Sequence, residues 1–143
     1  MFAWIHTGMG TEGSPRLFLP QHALHLAAFV VLSLLTGSAL SIAMGAVLMN
    51  YMAFYVASLG RAGTPPWAVL LLGWQPWALC RVAAFTVLGV VLAQPMVRRT
   101  VSEPPPPSWR PWVLLAAVLL VTDAILKASL APTWGRWLHG LLP

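Results

Sequence analysis

The sequence has few charged residues. Asp, Glu, Lys and Arg make up 8% of its 143 residues, and hydrophobic residues make up 59%, whereas soluble domains average about 25% charged residues. So few charges cannot cover a water-facing surface, which excludes a water-soluble globular protein. The mean hydropathy of +0.78 agrees. The composition therefore predicts an all-α integral membrane protein, and the length fits a single membrane domain over residues 1–143.

Acidic residues and cysteine are also scarce. The three acidic residues are far apart, at Glu12, Glu103 and Asp123, and Cys80 is the only cysteine. A single cysteine allows neither an intrachain disulfide nor a thiolate metal site. Ser, His and Asp do not form a nucleophile pattern, and no Gly-rich phosphate loop is present. We therefore expect no enzyme activity, no metal site and no resident cofactor, with lipids as the bound small molecules.

The basic residues outnumber the acidic ones, for a formal net charge of +5. They do not form one patch but stand singly or in pairs beside apolar runs, as cations that flank membrane spans do. We expect the partners to be the lipid bilayer and other integral membrane subunits, and not nucleic acid. The flanking cations are Arg16, Arg61, Arg98, Arg99, Arg110 and Arg136.

A long run without any charge follows the N-terminal segment. From His22 to Leu59 the chain has 38 residues and no Asp, Glu, Lys or Arg. As one helix this run would be about 57 Å long, against a hydrocarbon core of about 30 Å. The chain could instead turn back near Gly37, but that site has no charge or proline beside it. We expect one helix over 21–59 that projects beyond the lipid and is covered there by protein.

Prolines and tryptophans divide the rest of the chain. The four consecutive prolines before Trp109 favour polyproline II over helix, and tryptophans are typical of the membrane interface. We expect three spans in all, arranged as an N-terminal arm (1–20), span one (21–59), an interfacial segment (65–75), span two (76–95), a proline-rich connector (96–111), span three (112–131) and an interfacial tail (133–142).

The flanking cations predict an orientation. With three spans, the N-terminal arm and the connector share one side of the membrane, which then carries four flanking arginines against two on the other side. By the positive-inside rule, we expect a cytoplasmic N-terminus and an external C-terminus in a plasma membrane, such as a bacterial inner membrane.

Small residues recur every four positions in the first span. Ser33, Gly37, Ser41 and Gly45 would share one stripe of a continuous helix. Small residues at this spacing let two helices approach closely in lipid. We expect this stripe to pack against another helix, in this chain or in another subunit, with Gly89 and Ala93 of span two as a counterpart.

Two histidines lie near the start of the first span. His22 and His25 are three residues apart, and either could serve as an axial ligand to haem or chlorophyll. No other predicted span contains a histidine to complete a two-histidine site. We therefore expect both to be interfacial side chains in contact with water or headgroups.

Ionisable residues inside the predicted spans are the strongest local oddity. Asp123 and Lys127 lie four residues apart in span three, and Arg81 lies about one turn into span two. Charges at this depth are costly and are found paired or lining a cavity. We expect an intramembrane ion pair in which Asp123 bonds Lys127, Arg81 or a neighbouring chain.

These observations lead to three functional hypotheses. The first is a non-catalytic accessory subunit that braces the transmembrane helices of a larger membrane complex. The second is a small oligomeric transporter or channel that uses Asp123, Lys127 and Arg81. The third is a pigment- or haem-associated subunit that uses His22 or His25.

Overall fold

The computed structural model describes residues 14–100 and 108–141, and every regular element in these two ranges is a helix. Four of the helices are long and apolar enough to cross a membrane. The predicted all-α membrane fold is confirmed, with four candidate spans among the described residues where three were predicted. The helices are α1 (Pro15–Thr36), α2 (Ala39–Arg61), the short α3 (Pro66–Leu72), α4 (Pro76–Thr100) and α5 (Arg110–Leu141).

The charge-free run is a helical hairpin, so the prediction of one continuous helix over 21–59 is wrong. Gly37 and Ser38 adopt left-handed backbone conformations, with φ of 56° and 72°. The hydroxyls of Ser33 and Ser41 then meet at 2.8 Å, although eight residues of continuous helix would separate them by about 12 Å. Glycine adopts this conformation without a side-chain clash, and each half of the run is long enough to cross the hydrocarbon core by itself.

Prolines do not end the helices where the sequence predicted. α1 begins at Pro15 and contains Pro20, α4 continues through Pro95, and α5 continues through Pro132 to Leu141. The residues predicted as a separate interfacial tail (133–142) therefore largely extend the last span. Each internal proline removes one backbone hydrogen bond, a loss that spanning helices tolerate because neighbouring groups can compensate. Residues 1–13 and 101–107, which hold most of the predicted arm and nearly half of the predicted connector, lie outside the described residues.

The bundle has two chemically different ends. At the tryptophan end, where α1 and α4 begin and α2 and α5 end, buried aromatic and aliphatic side chains form one core cluster. At the serine end, Ser38 of the α1–α2 turn bonds the second half of α4, and Ser33 and Ser41 bond each other across the hairpin. The tryptophan-end cluster consists of Tyr55, Leu59, Trp77, Ala131, Trp134 and Leu138.

Four crossings would place both ends of the described chain on the same side of the membrane, whereas the predicted opposite placement of the termini depends on three. The flanking arginines then divide equally between the two sides, and the positive-inside rule favours neither orientation. Arg16, Arg61 and Arg136 lie at the tryptophan end, and Arg98, Arg99 and Arg110 lie at the serine end.

The middle of the bundle is a second apolar cluster that joins α1 to the α4–α5 pair. Phe29 of α1 stacks on Phe85 of α4 with ring centroids 4.7 Å apart. Leu88 and Ala116 complete this cluster. It holds the second half of α1 against α4 and α5, which helps to position the polar side chains described next.

Candidate functional site

Four ionisable side chains from three helices meet inside the bundle, near the tryptophan end. We call His22 of α1, Arg81 of α4, and Asp123 and Lys127 of α5 the ionic cluster. Asp123 and Lys127 lie one helical turn apart on the same face of α5, and only 3% and 2% of their surfaces are exposed. His22 and Arg81 lie seven and five residues from the starts of their helices, or about 8–10 Å along the axis.

Arg81 and Asp123 form a two-pronged ion pair. Arg81 donates from Nε to Asp123 Oδ2 at 2.9 Å and from Nη2 to Oδ1 at 2.8 Å. The planar guanidinium matches both carboxylate oxygens, and such charge-assisted hydrogen bonds are among the strongest in proteins. The pair therefore ties α4 to α5 at a fixed height in the bundle.

His22 lies between the carboxylate and the lysine. Its Nδ1 is 3.9 Å from Asp123 Oδ2, and its Nε2 is 3.3 Å from Lys127 Nζ. Lys127 Nζ also lies 4.7 Å from the centre of the Phe18 ring, a cation–π distance. The cluster thus joins α1 to α5 through one imidazole and one aromatic ring.

The charges of the ionic cluster do not cancel. With His22 neutral, Arg81 and Lys127 supply two positive charges and Asp123 supplies one negative charge. Asp123 is the only acidic residue among those that the structure describes. Arg81 uses Nε and Nη2 for its hydrogen bonds, and its side chain is 25% exposed. The cluster therefore has an excess positive charge and an accessible edge at Arg81.

The sequence pointed to Asp123, Lys127 and Arg81 but missed the position of His22. In the structure Asp123 accepts two hydrogen bonds from Arg81, and His22 lies beside Lys127. One signal was available, because Phe18 and His22 are four residues apart and so share a face of α1. Which face of α1 would meet α5 could not be known while 21–59 was interpreted as one helix.

The geometry does not favour the histidines as axial ligands. Both ring nitrogens of His22 face charged groups of α5, which leaves neither directed at an open position. His25 is half-buried and makes no hydrogen bond or ion pair with a described residue. Among the described residues, no group of three or more His, Cys, Asp or Glu side chains could hold a metal ion.

The predicted stripe of small residues is divided by the α1–α2 turn. Ser33 and Ser41 face each other across the hairpin and are fully buried. Gly37 lies in the turn, where an added Cβ would be 2.7 Å from Met96 Sδ. An added Cβ at Gly45 would meet nothing within 4 Å. The expectation of one shared helical face is therefore wrong, because it required a continuous helix.

The predicted counterpart on α4 contacts the hairpin at one position. Ser38 donates its hydroxyl to the carbonyl of Gly89 at 2.6 Å, and the Phe29 ring packs on Gly89, 3.4 Å from the position of an added Cβ. Ala93 is half-buried. Gly89 thus allows α1 and its turn to approach α4 closely, within this chain.

A shallow groove lies at the tryptophan end of the bundle, apart from the ionic cluster. It encloses about 450 Å³, and no side chain of the ionic cluster lines it. The groove is lined by Trp67, Leu72, Arg136, Trp137, Gly140 and Leu141.

The geometry is the basis for assigning a function, since no relative informs it. No protein family, curated protein or solved structure matches this chain.

Proposed function

We propose that the chain is a non-catalytic accessory subunit of a larger membrane protein complex, in which it braces neighbouring transmembrane helices. The observation that carries this proposal is the excess positive charge of the ionic cluster. Two cations share one carboxylate inside the spans, and the exposed edge of Arg81 gives a neighbour access to the cluster at that side chain.

Among the described residues no second carboxylate balances this charge, so an opposite charge on a neighbouring subunit would stabilise it. Ionisable groups at this depth are stable when they are paired or face a hydrated cavity. A carboxylate on a helix of another subunit would complete the pairing and fix that helix in height and rotation. This is the chemistry of a bracing subunit, and it needs no substrate. An all-helical bundle also suits a plasma membrane, such as a bacterial inner membrane, because bacterial outer-membrane spans are β-barrels.

Removing the extra cation tests the proposal. In Lys127→Met the Arg81–Asp123 pair remains and the cluster becomes neutral, so we expect the partner subunit to be lost while the chain still folds. Arg136→Met, an exposed cation of the same helix, is the matched control and should keep the partner. Native mass spectrometry of the protein extracted in mild detergent measures the composition of the complex.

Two results of that experiment would contradict the subunit proposal. One is a wild-type chain that carries no other polypeptide. The other is a Lys127→Met chain that keeps its partner as well as the wild type does. Retention of anionic phospholipid alone, lost in Lys127→Met, would show that a lipid phosphate balances the charge.

A proton-transfer role is the second candidate, favoured by the order Asp123–His22–Lys127. An imidazole that lies between an acid and an amine can accept a proton on one nitrogen and release one from the other. In proteoliposomes with an internal pH dye, this candidate predicts proton flux that His22→Phe abolishes. His25→Phe, one turn along the same helix, is the control. Flux no greater than in protein-free vesicles would eliminate the candidate.

A further inference from the structure

Asn50 is a polar side chain at the centre of a spanning helix. It lies eleven residues from Ala39 and eleven from Arg61, the two ends of α2. At 1.5 Å per residue this is about 16 Å from either end, which is the middle of a hydrocarbon core about 30 Å thick. Its side chain is exposed and makes no hydrogen bond to any described residue.

The side of α2 that carries Asn50 is turned away from the rest of the chain. Asn50 is nine residues from Ser41 and nine from Leu59, both fully buried, and nine residues of helix correspond to a rotation of about 180°. The Asn50 amide therefore points to the space that lipid or another protein occupies. An amide without a partner in hydrocarbon costs several kcal/mol, so this position favours a polar contact from outside the chain.

The surroundings of Asn50 permit a close helix contact. Exposed alanines precede and follow it at alternating spacings of three and four residues, the a and d positions of a coiled coil. Larger exposed side chains, Ile42 and Met49 on one side and Val47 and Phe54 on the other, border this line. We call the line of small residues with Asn50 at its centre the Asn50 seam; it comprises Ala43, Ala46, Asn50, Ala53 and Ala57.

We propose that α2 is a contact surface between two copies of this chain, with the two Asn50 amides hydrogen-bonded to each other. In a parallel pair of copies, the twofold axis between them runs along the membrane normal. Each residue of the seam then meets its own copy at the same depth. An amide carries both donors and an acceptor, so two Asn50 side chains satisfy each other across that axis.

The self-complementary amide of Asn50 favours a second copy of the chain as the partner that contacts the Asn50 seam. The seam offers no charge that would require an oppositely charged partner, and small residues let two copies of α2 approach closely enough for short amide side chains to meet. This contact is independent of the proposed accessory role, because the ionic cluster lies on other helices and α2 contributes nothing to it.

Cysteine cross-linking maps the proposed contact. In a Cys80→Ala background, we expect Ala46→Cys and Ala53→Cys to form disulfide-linked dimers on mild oxidation in native membranes. A disulfide requires Cα atoms about 4.4–6.8 Å apart, a distance that a small-residue contact provides. The controls are Val47→Cys, which borders the seam, and Tyr51→Cys, which is rotated about 100° from Asn50. Both are exposed at similar depth, and both should cross-link less than the seam positions.

Energy transfer between donor- and acceptor-labelled copies in liposomes tests the amide itself. We expect Asn50→Leu to raise the mole fraction of protein needed for half-maximal dimer about tenfold. Asn50→Gln, which keeps donors and acceptor, should stay close to wild type, and Tyr51→Leu should have no effect.

Several outcomes would overturn this inference: a monomeric wild-type chain, a dimer that Asn50→Leu leaves unchanged, or equal cross-linking at the control positions. Cross-linking of the seam cysteines to a different polypeptide would also overturn it. A dimer that contains no other polypeptide would support the inference and contradict the accessory-subunit proposal, so the two can fail separately.

Discussion

The two ends of the bundle are fastened by different chemistry. At the tryptophan end, Trp77 and Trp134 meet edge to face at 5.5 Å, and the ionic cluster lies just inside them. At the serine end, Ser38 bonds the Gly89 carbonyl and Ser33 bonds Ser41, and no charged side chain takes part. The tryptophan end has strong ionic interactions whose burial carries a high desolvation cost. The serine end has weaker hydrogen bonds that cost little to bury.

This difference shows how a short membrane chain can separate specificity from stability. In lipid no hydrophobic force drives helices together, so packing and polar contacts determine which faces meet. A buried ion pair gains little net energy but strongly penalises any arrangement that separates its charges. We therefore expect the ionic cluster to select the arrangement of α1, α4 and α5, and the serines to adjust how closely the hairpin approaches α4.

Removing Asp123 should break the tryptophan end and give the largest effect. Asp123→Leu leaves Arg81 and Lys127 in the bundle without the carboxylate of the ionic cluster, a loss of about 3–5 kcal/mol of stability. The double variant Arg81→Leu with Asp123→Leu should recover part of that loss, because it removes the stranded guanidinium. Thermal unfolding in detergent, followed by circular dichroism, measures both. A double variant as unstable as Asp123→Leu alone would contradict the central place given to this pair.

Replacing Gly37 should strain the serine end. Its φ of 56° places a side chain in the left-handed region, so Gly37→Ala should cost about 1–2 kcal/mol, while the flexible Met96 side chain moves aside. Gly45→Ala is the control; its added methyl group meets open space, and it should raise stability by up to about 1 kcal/mol because alanine favours helix. Chemical unfolding curves for the two variants should therefore shift in opposite directions.

Removing one indole N–H should sharpen the account of the tryptophan end. Trp134 donates Nε1–H to the Leu72 carbonyl at 3.0 Å, which ties α5 to the last turn of α3. Trp134→Phe keeps an aromatic ring against Trp77 but loses this bond, and we expect a loss of about 1 kcal/mol. Trp137→Phe, whose ring is largely exposed, should have less effect on the same unfolding transition. Equal losses would show that the bond to Leu72 contributes little.

The smallest expected effect separates hydrogen bonding from backbone strain at Ser38. Ser38→Ala loses the bond to Gly89 and keeps a side chain at φ of 72°, for a loss of about 0.6 kcal/mol. Ser38→Gly loses the same bond but relieves the left-handed backbone, so it should be the more stable of the two. Matched unfolding curves test this order, and a less stable Ser38→Gly would show that the turn is not strained.

The turn at Gly37 shows what the sequence could and could not predict. The charge-free run is too long for one span, so it forms either one projecting helix or a hairpin. These two alternatives differ only in whether Gly37 and Ser38 leave the helical conformation. Glycine and serine are common inside spanning helices, so their presence did not decide the matter. The turn is stabilised by contacts with Gly89 and Met96, which are more than fifty residues away in the chain, and local patterns do not contain that information.

The ionic cluster was likewise predictable from the sequence only in part. That Asp123, Lys127 and Arg81 would need partners was predictable, because a charge inside an apolar span has few stable alternatives. That Arg81 would take both carboxylate oxygens, and that His22 would lie beside Lys127, depends on how α1 and α4 rotate against α5.

The amino-acid sequence by itself determined that this protein resides in a lipid membrane and that its spans are helices. So few charges over so many apolar residues exclude water, and a backbone in hydrocarbon must satisfy its hydrogen bonds within each helix. Only the tertiary structure decided the division of the charge-free run into two helices, the pairing of charges from separate helices and the outward position of Asn50. These depend on which helix faces meet, and in lipid that choice is made by contacts between distant residues, since apolar side chains are equally at home against lipid or protein.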